Sequence, residues 1–136
     1  MAKSVSDWAE ELDLFDDGVE KLTYLVDLAR KETNLPKELR TEDRLIGGCI
    51  SKIWVDVGVV EDKVKVYYDS DAMITKGITS IVCECFSDRT VEDAKKIKPE
   101  DFEKLNIQQL LTPQRRNGLG SLIGTIIKRI ELIWQM

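Results

Sequence analysis

Between Ser51 and Tyr68 the sequence takes on a two-residue period. Ser51, Ile53, Val55 and Val57 alternate with Lys52, Trp54, Asp56 and Gly58, and after Glu61-Asp62-Lys63 the period resumes at Val64, Val66 and Tyr68. Such a period puts one set of side chains on one face of an extended chain, and a polar turn between two such runs makes an antiparallel hairpin. A lone hairpin cannot bury its apolar face by itself, so it has to find a core among its neighbours. Those neighbours carry a helical period. The expected fold is therefore α+β, a small antiparallel sheet with helices packed on one face. At 136 residues and 43% apolar composition, the chain is long enough to close one core without metal or disulfide support, so residues 1–136 are read as a single domain.

The helical segments are marked by caps and spacing. Ser6 or Asp7 is a candidate cap before Trp8, Leu12 and Phe15, and Asp16-Asp17-Gly18 breaks that helix. Val19, Leu22, Leu25, Val26 and Ala29 recur at three and four, which predicts a second helix over 19–31. The polar run 33–44, punctuated by Pro36, reads as a surface connection, with Arg44-Leu45-Ile46 a candidate edge strand. A largely apolar helix is expected from about Ala72 to Phe86, and short ones after Thr90 and at Pro99. Thr112-Pro113 opens a last helix, on which Leu119, Leu122, Ile123, Ile126, Ile127, Ile130, Ile133 and Trp134 form one broad apolar stripe. Gly118, Gly120 and Gly124 weaken that helix, and close packing of another backbone is the expected reason for them.

Charge and composition narrow the function. The 25 acids and 20 bases are interspersed and leave a net charge of −5, which argues against sequence-blind nucleic-acid binding. There is no apolar run of membrane-spanning length and the start of the chain lacks a leader pattern, so a cytoplasmic protein is expected. The chain has no histidine, which excludes serine–histidine and cysteine–histidine pairs and every zinc site that needs imidazole. Three cysteines, an odd and sparse set, are expected to be reduced thiols.

Cys49 lies in Gly47-Gly48-Cys49-Ile50-Ser51, at the end of a connection that carries Arg40 and Arg44 and just before Lys52. Two readings of it stand open: a thiol at a loop tip whose thiolate is favoured by nearby bases, or a buried structural cysteine at the sheet edge. Cys83 and Cys85 are two apart on a predicted helix, about 200° around its axis, so they are poorly placed to share an ion and are read as core residues, Cys85 with the rim as an alternative. Ser70 and Asp71 stand where a helix begins. Capping that helix explains them, and a polar, negative element beside the cysteine segment is their functional reading. Arg115 and Arg116 open the last helix against its dipole, an arrangement that invites a reason beyond local stability.

Three segments, in order, resemble the SufE/CsdE family of sulfur-acceptor proteins. They are Gly48-Cys49-Ile50-Ser51-Lys52-Ile53-Trp54, Ser70-Asp71-Ala72-Met73-Ile74-Thr75-Lys76-Gly77 and Thr112-Pro113-Gln114-Arg115-Arg116-Asn117-Gly118-Leu119. The likeness runs over about residues 15–130. Ile50 stands where the family is commonly polar, Ile53 replaces valine, Ala29 replaces a glycine, and Gly18 stands where the family often has tryptophan.

The resemblance implies a sulfur relay for iron–sulfur cluster assembly. Cys49 matches the position that accepts persulfide sulfur from a cysteine desulfurase, Arg115 the family's arginine near the acceptor, and Asp71 the aspartate of the serine-aspartate-alanine segment. Implied partners are a desulfurase of the SufS/CsdA kind and a scaffold complex of the SufBCD kind; pyridoxal phosphate would belong to the desulfurase, and this chain would need no cofactor. A protected resting segment around Cys49, walled by Ile50 and Trp54 and swinging out on docking, is a further expectation, as is a monomer or a homodimer. The alternatives are an iron–sulfur or zinc scaffold using Cys49, Cys83, Cys85 and an aspartate, and a thiol redox enzyme.

Overall fold

A computed structural model describes residues 3–30, 35–46, 52–107 and 111–135, without the Arg115 side chain. In chain order it contains α1 (Val5–Asp13), α2 (Gly18–Ala29), 3-10 turns at Lys37–Leu39 and Glu42–Arg44, β1 (Ile53–Val60), β2 (Lys63–Ser70), α3 (Met73–Phe86), α4 (Val91–Lys95), a 3-10 helix at Pro99–Leu105, and α5 (Pro113–Trp134).

The hairpin forms where the alternation placed it. β1 and β2 are antiparallel, in a register that runs from Val60↔Lys63 to Ile53↔Ser70. Glu61 and Asp62 alone make the turn, both with positive φ (52° and 66°), as a two-residue turn matched to strand twist requires. Ile53, Val55, Val64 and Val66 are buried. The other face carries Trp54, Asp56 and Tyr67, all half-buried.

α3 is the central helix. It packs on α2 and on β2, and also meets α5 and β1. Its Ile81, Val82, Cys83, Cys85 and Phe86 are all at most 1% exposed, which is why this helix reads as apolar nearly all round. The approach of α2 is set by Gly77, where a Cβ would stand 2.1 Å from the carbonyl oxygen of Leu25. Only a residue without a side chain permits that contact.

Several local expectations are corrected. α1 is capped by Ser4, not by Ser6 or Asp7: Ser4 Oγ accepts from the Asp7 amide and Asp7 Oδ2 accepts from the Ser4 amide, at 3.2 and 3.0 Å. That reciprocal box uses Asp7 at the third helical position, and the Ser4 amide holds its carboxyl below the usual range. No edge strand forms at 44–46. Glu42–Arg44 winds into a 3-10 turn, Leu45 makes one isolated bridge to Trp54, and the Ile46 amide donates to the Ile53 carbonyl at 2.8 Å. Gly120 and Gly124 do not accommodate another backbone, since both are exposed and an added Cβ at either would meet nothing within 4 Å.

α5 closes the core with Leu119, Leu122, Ile123, Ile126 and Ile130. Trp134 leaves the stripe, 50% exposed, with the Lys95 ammonium 4.2 Å from its ring centre. Arg129 ties the helix to the sheet, donating to the carbonyls of Val55 and Asp43.

Candidate functional site at the open end of the hairpin

Cys49 and its neighbours from 47 to 51 lie outside the described residues, as does the side chain of Arg115, and so does the expected protected resting segment. Asp71 is described, and it stands at the open end of the hairpin, from which the 47–51 segment departs.

Ser70 and Asp71 do not cap α3. The N-cap is Ala72, without a side-chain hydrogen bond. Both polar side chains turn instead to Lys52. Its amide donates to Asp71 Oδ1 at 2.9 Å, and its carbonyl accepts from Ser70 Oγ at 2.8 Å and from the Asp71 amide at 3.2 Å. Each backbone group of Lys52 is thereby satisfied, three residues beyond Cys49. A cap was the natural expectation from sequence order, because both residues directly precede the helix. The hairpin brings a backbone from 18 or 19 positions away within reach of the same oxygens, and the remaining Ser70 contact toward the helix, from the Ala72 amide, is a long 3.4 Å.

One pair further into the hairpin sits Asp69, 2% exposed. Its Oδ2 is paired with the Arg40 guanidinium, its Oδ1 lies 3.7 Å from Lys76 Nζ, and Oδ1 also accepts from the Ser70 amide at 2.8 Å. Arg40 lies 5.7 Å from the centre of the Trp54 ring, and Arg44 Nε is 3.4 Å from Asp56 Oδ1. The connection before the 47–51 segment is thus strapped to the sheet by arginines that reach side chains of its outward face. Composition marked Arg40 and Arg44 as bases near Cys49, but nothing in the local sequence pointed to their acidic partners on the two strands.

Arg116 has a local role, with Nε donating to the Leu111 carbonyl at 3.2 Å across the head of α5. Cys83 and Cys85 are core residues, at 1% and 0% exposure. Burial raises the Cys83 thiol well above its ordinary value and pushes Cys85 up to about 12. Metal binding needs thiolates, and burial disfavours them at both positions, which weakens the scaffold reading. Among the described residues no group of three or more potential side-chain ligands is placed to hold a metal ion, and no helix is long and apolar enough to cross a membrane.

Comparison with known proteins gives a consistent likeness. The family model described as "SufE: Fe-S metabolism associated domain" matches residues 6–130. A SufE-like protein 1, chloroplastic/mitochondrial, of Arabidopsis thaliana is 31% identical over 110 residues, covering 80% of this chain and 30% of that protein. The chain therefore spans under a third of the Arabidopsis relative's length. An uncharacterized SufE-like protein of Rhizobium meliloti (strain 1021) is 28% identical over 127 residues, 90% of this chain and 91% of its own. The cysteine desulfuration protein SufE of Wigglesworthia glossinidia brevipalpis is 33% identical over 114 residues, 81% and 77% of the two chains. A hypothetical protein from Thermus thermophilus, solved in solution, superposes with a TM-score of 0.80 over 97% of this chain and 96% of its own, at 16% identity. That last likeness concerns the fold alone.

Proposed function

The chain belongs to the SufE family, and on that premise we propose that it takes sulfane sulfur from a cysteine desulfurase onto Cys49, stimulates that enzyme, and passes the sulfur to an iron–sulfur scaffold complex in the cytoplasm. The observation that carries the reading is the Lys52 anchor. Ser70 and Asp71, from a motif remote in sequence, commit their side chains to fixing the residue three places beyond the acceptor cysteine. A fold with no use for that segment has little reason to clamp its root twice.

The transfer is an exchange between like bonds. The Cys49 thiolate attacks the outer sulfur of the donor's persulfide, a new sulfur–sulfur bond forms on Cys49, the bond within the donor persulfide breaks, and the donor cysteine leaves as its thiolate. The bond made resembles the bond lost, so the step is close to thermoneutral and its rate depends on positioning. Asp71 acts in that positioning. Arg115 serves to stabilise the thiolate or persulfide anion. Pyridoxal phosphate belongs to the desulfurase, and the chemistry assigned to this chain asks for no cofactor of its own.

The test is direct. Incubated with a cysteine desulfurase, pyridoxal phosphate and cysteine, the protein gains the mass of one sulfur atom, and the Cys49→Ser variant gains none. A wild-type chain that stays unmodified while the desulfurase turns over, or a serine variant that still takes up sulfur, overturns the proposal.

A further inference from the structure

The hairpin turn determines which backbone groups of β1 face outward. Across Glu61-Asp62, Val60 and Lys63 exchange both backbone bonds, so Gly58, Asp56 and Trp54 also bond to β2, while Ile53, Val55, Val57 and Val59 aim theirs away from it. At one end that outward row is covered: the Ile53 carbonyl accepts from the Ile46 amide and the Val55 carbonyl from Arg129. The opposite edge of the sheet is covered too, with Val64 bonded to Asp88 and Arg89 and the Val66 amide to Ser87 Oγ. Among the described residues nothing bonds to the outward amides and carbonyls of Val57 and Val59. Natural sheets blunt such an edge with charge, proline or a bulge, and Val57-Gly58-Val59 has none of these.

Gly58, in the middle of the gap, is unexplained by the fold. A Cβ there would meet nothing within 4 Å and the backbone is not in the left-handed region. Glycine weakens a strand interior, and a close approach by another backbone is a reason to keep it. Beside the gap α5 leaves apolar surface: Leu132, 55% exposed, shares a shallow groove with Val57, and Trp134 shares one with Val59, itself 41% exposed.

We propose that a second copy of this chain pairs here, β1 against β1, antiparallel about a two-fold axis at Gly58. In that register Val57 faces Val59 of the second copy and Val59 faces its Val57, so the open groups meet as two pairs sharing four hydrogen bonds. The two Gly58 residues face each other in the narrow, non-bonded pair, where strands come closest. Val59 of each copy comes over Leu132 of the other. The pairing ends where the edge is already closed, because the second copy's Glu61-Asp62 turn falls opposite Val55 and sets an acidic turn beside the Arg129 guanidinium. Glu42, Asp43 and the Arg44–Asp56 pair are the other charges on the turn and strand at that end. The two Ile53 residues stand about 33 Å apart along the strands, so the pairing leaves both Lys52 anchors outside it. The proposal does not depend on the sulfur relay.

Sedimentation velocity from about 10 μM to about 1 mM reads the association, a range suited to a small, weak interface. The wild type is expected to move from monomer to dimer across it. Val59→Pro removes one outward amide, leaves every bond to β2 in place, and is expected to stay monomeric. In a Cys49→Ser background, Gly58→Cys is expected to form an intermolecular disulfide under oxidised glutathione. Val60→Cys is the control, since its two copies would stand about 13 Å apart, beyond disulfide reach.

A wild type that is monomeric at the highest concentration overturns the proposal. So does a folded Val59→Pro chain that still dimerises, or Gly58→Cys that cross-links no faster than Val60→Cys. If Val59→Pro fails to fold, the two cysteine variants decide alone. Hydrogen exchange identifies a different occupant: protection of the Val57 and Val59 amides that appears only when a desulfurase is added assigns the edge to a foreign strand, and likewise overturns the pairing of two copies.

Discussion

Gly77 of α3 presses its Cα against the backbone of Leu25 in α2, so that a methyl group there would lie 2.1 Å from the Leu25 carbonyl oxygen and 2.8 Å from its carbon. Backbone cannot rotate aside as a side chain can. Gly77→Ala is therefore expected to push α2 off the central helix and cost about 3 kcal/mol, despite alanine's better helix propensity. Chemical denaturation reads the loss, and a variant as stable as wild type would show that the two helices do not meet there. Gly120→Ala, in open space, is expected to stabilise by up to about 1 kcal/mol.

Asp71→Ala removes the acceptor of the Lys52 amide. Because Asp71 is exposed, water replaces part of the bond, and a cost of about 1 kcal/mol is expected. On the proposed function, sulfur acceptance should fall by more than that loss of stability explains, since the root of the segment that carries Cys49 is freed. Asp71→Asn keeps an acceptor oxygen and should recover most of the rate. Single-turnover uptake read by intact mass, beside thermal melts, separates the two effects.

The turn residues Glu61 and Asp62 both occupy left-handed backbone. Asp62→Gly relieves that strain where glycine is the preferred residue, and a gain of about 0.5–1 kcal/mol in denaturant unfolding is expected. No change in sulfur uptake should accompany it, because the turn is at the opposite end of the hairpin from Lys52.

Stability should fall at alkaline pH on account of Cys83 and Cys85. Both thiols have folded-state pKa values raised by burial, Cys85 to about 12. A raised folded value means that the folded state holds the proton more tightly. The stabilisation is complete below the unfolded thiol value, near 8.5, and is lost as pH rises from there toward the folded values. Each thiol contributes a slope of up to about 1.4 kcal/mol per pH unit in that window. Urea unfolding at pH 8, 9 and 10 should show the decline, and Cys83→Ala and Cys85→Ala should each flatten it.

Much of the architecture was legible because it rests on period. The alternation at 53–57 and 64–68, the helix ending at Phe86, and Pro113 at the head of α5 are all local signals, and each element formed there. What escaped was long-range. Ser70 and Asp71 look like a helix cap in sequence because their competing partner, Lys52, becomes a neighbour only once the hairpin closes. Asp69 likewise reads as an ordinary strand residue until Arg40 and Lys76 converge on it. Gly77 could have been flagged as a glycine inside an apolar helix, but its partner Leu25 belongs to a different helix and no local pattern names it. Of the candidate site, the sequence supplied the residues and the fold supplied what Asp71 holds.

The sealing of Cys83 and Cys85 within the hydrophobic interior has a bearing on cargo safety. A persulfide is discharged by any second thiol that reaches it, leaving a disulfide and lost sulfide. In the native state those two thiols are withheld from the surface, so under the proposed relay a persulfide on this chain would meet neither of them.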